Sequence, residues 1–220
     1  FTNPATSTTS DFGLQIDLRN ASASAVPARM KYAWLGSMTP VAFGTSSPTL
    51  SGHANAAGAR AVAAAHYRNT PAFGTSPAIA ESYSSRGGVP ILFTTSGAAT
   101  FIERQKPELT APDGGDTTFF GTDTDGTGRP NFFGTSSATP NLAAVAALMK
   151  QLSPNAKPSD IKTAMIASTI PLNGATKGQW DVQGGFGLGQ ADAALSVAKN
   201  SGGCRVEKAG GVRGRGAVSP

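Results

Sequence analysis

Residues 142–149, Leu-Ala-Ala-Val-Ala-Ala-Leu-Met, carry no charge and a single β-branched side chain, Val145. Such a run predicts a helix that is apolar on every side, which only the interior of a sizeable protein accommodates. Directly before it stands Phe132-Phe133-Gly134-Thr135-Ser136-Ser137-Ala138-Thr139-Pro140, so Ser136 falls at the mouth of that helix. A serine there has its own N–H among the unpaired donors of the first turn, and the helix dipole favours negative charge beside it. Both properties suit a nucleophile whose reaction builds an oxyanion. Gly134 permits close approach of another backbone, and Pro140 comes early enough that its missing N–H is expected to cost little. A capping arrangement before a helix accounts for the same letters, so the serine has to be weighed against the rest of the chain.

The letters recur twice, at Phe43-Gly44-Thr45-Ser46-Ser47-Pro48 and Phe73-Gly74-Thr75-Ser76-Pro77. Neither copy has a proline four residues after its first serine, and neither runs into so long an apolar helix. Both read as turns, and their unequal spacing argues against a structural repeat.

Gly134, Thr135, Ser136 and Pro140 match residue for residue the G-T-S-x-x-x-P nucleophile motif of the subtilisin-like serine peptidases, which opens an alanine-rich central helix. The chain resembles that family, and the resemblance makes Ser136 the attacking serine. Glu81-Ser82-Tyr83-Ser84-Ser85-Arg86-Gly87-Gly88 is similar to the family's Phe/Tyr-Ser-Ser-x-Gly turn. Lys106-Pro107-Glu108-Leu109-Thr110-Ala111-Pro112-Asp113-Gly114 is similar to its Lys-Pro-Asp/Glu-aliphatic-x-Ala-Pro-Gly strand. Asp113 intervenes there before the glycine, a departure expected to alter only the turn. Gly185 to Ala193 is similar to the Gly-x-Gly turn and Asp-Ala helix that close the family's catalytic domain. These four matches keep the family's order and cover about two-thirds of the chain, roughly residues 51 to 199.

The resemblance implies an α/β fold, a mostly parallel sheet with flanking helices, of which this chain holds the C-terminal portion. Residues 12–18 and 30–34 alternate apolar and polar side chains around a turn-rich 20–27, which reads as two half-buried antiparallel strands. They look like the end of a β-rich insertion carried by some family members. The expected organisation is therefore residues 1–45 from that insertion, 46–200 from the peptidase domain and 201–220 as a flexible basic tail. By pattern alone residues 52–65 suit a helix or a buried strand; the resemblance favours a turn and short helical segment leading into a parallel core strand around Ala61 to Ala64. It also puts the Gly52-His53 turn near the pocket for the side chain preceding the cut bond. Val89 to Phe93 suggests part of an inserted hairpin. Pro158 starts a second helix with Ile161, Ala164, Met165 and Ser168 on one stripe.

A serine hydroxyl is a poor nucleophile at neutral pH and needs a base to take its proton, in this family a histidine oriented by an acid. The family supplies these from Asp-Ser/Thr-Gly and His-Gly-Thr-His segments upstream, and completes the oxyanion hole with an asparagine of an Ala-Gly-Asn run. None of the three occurs in this sequence. The two histidines, His53 and His66, lack the helix-opening context of the family's base and read as structural. Asp113, Asp116, Asp123 and Asp125 read as solvated turn residues. Asp123-Thr124-Asp125-Gly126 resembles half a calcium loop, but the glutamate of its twelfth position would fall at Gly134, and a tight Asp-Gly turn is the better reading.

The net charge of +5 owes +3 to the last eighteen residues, where Arg205, Lys208, Arg213 and Arg215 face only Glu207. The body of the chain therefore offers no basic face for nucleic acid. The single cysteine, Cys204, closes no intramolecular disulfide and has no metal-ligand pattern around it. No apolar run approaches the roughly 18 residues that span a bilayer. The glycines around 185–189 lack a P-loop lysine and a ribose acid, so they are not read as a nucleotide site.

The expected protein is a secreted serine endopeptidase acting on proteins or peptides, without cofactor, metal, nucleic-acid or membrane partner. The chain starts at Phe1, as a fragment would, and is expected to be nearly inactive without the missing upstream segment of its own domain. Two other readings are a non-catalytic scaffold on the same fold and a sedolisin-like peptidase with a glutamate base, against which the Lys106 to Gly114 strand argues.

Overall fold

The computed structural model describes residues 44–119 and 121–198. The strands expected before residue 44, Cys204 and the basic tail lie outside the described residues. Among the described residues, regular structure begins with a 3-10 turn at Gly52–Asn55 and strand β1 (Val62–His66), then a hairpin of β2 (Pro90–Phe93) and β3 (Ala99–Glu103). Strand β4 (Leu109–Asp113) and the short antiparallel pair β5 (Gly115–Asp116) and β6 (Asn131–Phe132) precede helices α1 (Thr135–Leu152), α2 (Pro158–Ala167) and α3 (Ala191–Ala198). This is the mixed α/β class expected from the sequence, with the short helical turn, core strand, hairpin and helices all present.

β1 and β4 run parallel, in register from Val62 opposite Leu109 to His66 opposite Asp113. Ala63, Ala64 and Ala65 are buried in succession, as in a strand covered on both faces. β4 is bonded on its other side as well. Phe186 N–H donates to Glu108 C=O, Thr110 N–H to Gly187 C=O, and Gly189 N–H to Thr110 C=O, at 2.8–2.9 Å. Gly187 is required there, because a Cβ would stand 2.3 Å from the Ile170 carbonyl oxygen. On the outer edge of β1 the Tyr83-Ser84 turn acts as a partial strand: Ala64 N–H donates to Ser84 Oγ and Glu81 N–H to Ala64 C=O.

α1 lies across this pair and brings Ala138, Leu142 and Met149 against Ala64, Leu109 and Ala111, with Ala164 and Met165 of α2 and Ala194 of α3 completing the core. α2 starts at Pro158 as expected, and Asp160 accepts the Lys157 N–H to cap it. Its buried stripe includes Ala164, Met165 and Ser168. α1 differs from expectation on two counts. It is not buried on every side: Ala143, Ala144, Ala147 and Leu148 are exposed, because the described residues lay a sheet and two helices against one flank only. And Pro140 sits within the helix, not among its first four residues, so the missing N–H is the one that would have reached the Ser136 carbonyl.

A buried ion cluster ties the start of β4 to its surroundings. Glu108, 2% exposed, accepts Lys106 Nζ at 2.6 Å and the Ala61 N–H at 2.9 Å, with Arg60 and Lys162 at 3.5 and 3.7 Å. The Lys106 ammonium also reaches the Ala59 carbonyl. Removing one member of such a pair strands the other charge. Glu108→Ala is expected to cost about 3–5 kcal/mol in urea unfolding, and more than the apolar double replacement of Lys106 and Glu108.

Candidate active site

Ser136 is the second residue of α1 and is exposed. Among the described residues neither its N–H nor its hydroxyl has a hydrogen-bond partner. The helix begins from Gly134, whose carbonyl accepts the N–H groups of Ser137 (2.9 Å) and Ala138 (3.2 Å). Those bonds leave the Ser136 donor free at the positive end of an 18-residue helix. Gly134 has φ 109° and ψ 162°, a region open essentially to glycine alone.

Two side-chain bonds join the N-terminal part of α1 and its entry to the end of β4. Asn141 Nδ2 donates to the Pro112 carbonyl at 2.9 Å. Gly134 N–H donates to Asp113 Oδ2 at 2.6 Å, and the Tyr83 hydroxyl donates to the same oxygen. Asp113 is 1% exposed, and its Oδ1 has no partner among the described residues. The expectation of a solvated turn residue is thus corrected for Asp113. It packs in the interior because β4 ends there and its side chain points to the helix entry. Burial, then the bond to Asp113, raises the Tyr83 hydroxyl pKa well above its ordinary value. Burial, then the Asp113 charge, raises the nearby Glu81.

His66, expected to be structural, stacks between Tyr67 (5.0 Å) and Phe133 (5.5 Å). Its Nδ1 accepts the Arg68 N–H at 3.1 Å, so the ring caps the following turn. Gly52 and His53 are exposed in their 3-10 turn, which is tied to the hairpin by Asn55 with Val89 and by Arg104 with the Asn55 carbonyl. Among the described residues no hydrogen bond joins that turn to the Ser136 turn.

The acidic loop before β6 is a stapled turn. Asp123 accepts the N–H groups of Asp125 (3.3 Å), Gly126 (2.8 Å) and Gly128 (2.9 Å). Asp125 does not float in solvent as expected, because Tyr67 hydroxyl (2.5 Å), Asn131 Nδ2 (3.1 Å) and Arg68 (3.5 Å) converge on its Oδ2. Asn131 then carries the loop back to the strand pair, donating also to Asp116 and to the Gly114 carbonyl. The hydrogen bond from Tyr67 is the first cause holding the Asp125 carboxyl down to about 2. Nothing in the spacing of these aspartates announced the Tyr67 and Tyr83 partners, which lie 58 and 30 residues away in sequence.

Residues 36–192 match the profile of the Subtilase family, and the chain belongs to that family. Among solved structures it is similar to fervidolysin from Fervidobacterium pennivorans, a keratinolytic enzyme related to subtilisin, at 23% identity and TM-score 0.42, over 66% of this chain and 20% of that one. A protease of Pseudoalteromonas arctica matches at 22% and TM-score 0.42, over 66% and 38%. The prenylagaramide maturation protease PagA matches at 24% and TM-score 0.41, over 66% and 44%. The chain thus spans less than half the length of each of these structures. Among curated proteins none matches it.

Two outcomes follow from the geometry. Gly134→Ala meets no crowding, since its nearest neighbour would be Ser136 N at 3.7 Å; the backbone conformation alone is expected to cost about 1–3 kcal/mol in chemical denaturation. Because the folded Asp125 value is depressed, the stability it contributes is present above the ordinary carboxylate range and is lost as pH falls toward 2. The Asn131 side-chain amide resonances should therefore hold their positions through pH 4 and shift only near pH 2.

Proposed function

We propose that the chain is the C-terminal part of a subtilase catalytic domain and that Ser136 is the nucleophile of a serine endopeptidase. The observation that carries this reading is the Ser136 turn: an exposed hydroxyl beside its own unpaired N–H at the start of a long helix. A tetrahedral oxyanion formed by attack of Oγ on a peptide carbonyl has that N–H and the helix terminus to stabilise it. Proteins or peptides are the substrate class, in keeping with the family. The Gly52-His53 turn is assigned to the wall that receives the side chain preceding the cut bond. Residues 1–45, 46–200 and 201–220 keep the roles of insertion, peptidase portion and tail. Subtilases are commonly secreted, and secretion is part of the proposal; among the described residues no helix is long and apolar enough to cross a membrane.

The general base, its orienting acid and the oxyanion amide are assigned to a segment upstream of Phe1. His66 does not serve, because its Nδ1 and ring faces are engaged with Arg68, Tyr67 and Phe133. In subtilisin itself, loss of the histidine costs about 10⁶ in turnover, which sets the scale for the chain on its own.

The 220-residue chain is expected not to react measurably with a fluorophosphonate probe. The natural polypeptide extended upstream is expected to label at Ser136, and Ser136→Ala to abolish that labelling. Labelling of the short chain, or labelling that survives Ser136→Ala, overturns the assignment.

A further inference from the structure

We propose that Asp113 is a positioning residue: its buried carboxylate anchors the Gly134 N–H and, with Tyr83, fixes the turn from which Ser136 is presented. The inference rests on the reading of Ser136 as the nucleophile. Asp113 is where this sequence departs from the Ala-Pro-Gly pattern it otherwise resembles.

A carboxylate that is 1% exposed with one oxygen unpaired is costly, and the fold recovers that cost only through the donors it meets. Both donors belong to the turns around Ser136. Gly134 N–H, two residues before the serine, lies 2.6 Å from Oδ2, and the Tyr83 hydroxyl reaches both that oxygen and, at 3.3 Å, the Gly134 nitrogen. Without Asp113, the Gly134 N–H loses its close acceptor, while its carbonyl remains bound to Ser137 and Ala138. Only the longer bond from the Gly134 N–H to the Tyr83 hydroxyl, at 3.3 Å, then holds the peptide between Phe133 and Gly134, so the helix entry is fixed less tightly. Anchored, the turn is held at two points on β4, since Asn141 of the same helix grips the neighbouring Pro112 carbonyl.

Two readouts test this. In the 220-residue chain the Gly134 amide proton, drawn downfield by its bond to a carboxylate, is expected to move upfield in Asp113→Ala. An amide that stays in place overturns the inference. In the upstream-extended polypeptide, held well below its melting temperature, Asp113→Ala is expected to slow fluorophosphonate labelling of Ser136 by about ten-fold or more, since small displacements of a reacting group carry penalties of up to about 10²-fold. Asp113→Asn, which keeps an acceptor oxygen, should recover most of that rate. A folded Asp113→Ala variant that labels at the wild-type rate, with only its melting temperature lowered, reduces the residue to a structural role and overturns the proposal. If Asp113→Ala does not fold, Tyr83→Phe takes its place in both measurements, with a smaller loss of labelling expected and an unchanged rate counting against the proposal. Should the wild-type extended polypeptide fail to label at Ser136, the nucleophile reading falls, and the amide shift alone decides whether Asp113 sets the turn.

Discussion

Everything described here is arranged around one strand bonded along both edges. β4 takes β1 on one side and the Phe186–Gly189 segment on the other, so residues nearly eighty positions apart in sequence are held by consecutive peptide groups. Such a strand has no free edge and no freedom to slip, because a shift of one residue would turn its buried alanine and leucine side chains away from the core. α1 lies on this fixed surface, and its N-terminus is placed wherever β4 ends. The position of Ser136 is therefore a consequence of strand pairing before it is a matter of local turn chemistry.

The two ends of β4 each bury a carboxylate, and they illustrate opposite uses of charge. Glu108 is surrounded by cations and a backbone N–H, so its negative charge is answered by Lys106, Arg60 and Lys162. Asp113 meets no cation within ion-pair distance among the described residues; neutral donors alone answer it, a tyrosine hydroxyl and a glycine amide. The first arrangement fastens secondary-structure elements together. The second fixes the orientation of a single peptide group, a finer task suited to a short, charge-assisted hydrogen bond.

Much of this was legible in the sequence. Apolar runs, proline and glycine positions gave α1, α2 and the first strand of the β2–β3 hairpin, because those elements are specified by nearby residues; the core strand around Ala61 to Ala64 came from the family resemblance, since pattern alone suits a helix or a buried strand there. What escaped was set by distant ones. Asp113 and Asp125 resemble any aspartate in a glycine-rich loop; their burial depends on Tyr83 and Tyr67, brought to them only after the β1–β4 pair has formed. The uniform hydrophobicity of residues 142–149 suggests burial on every side, yet composition reports what a helix tolerates, not how many layers the described residues place against it.

That unclad flank of α1 differs from the clad one in the size of its side chains more than in polarity. Leu142 and Met149 fill the inward side, whereas the outward side shows Ala143, Ala144 and Ala147 beside the larger Leu148 and Gln151. Helices come to rest at separations dictated by the bulk between their axes, with about 8 Å as the near limit. Methyl groups permit contact at that limit, so whatever rests on the three alanines settles backbone-close, beside Leu148 and Gln151.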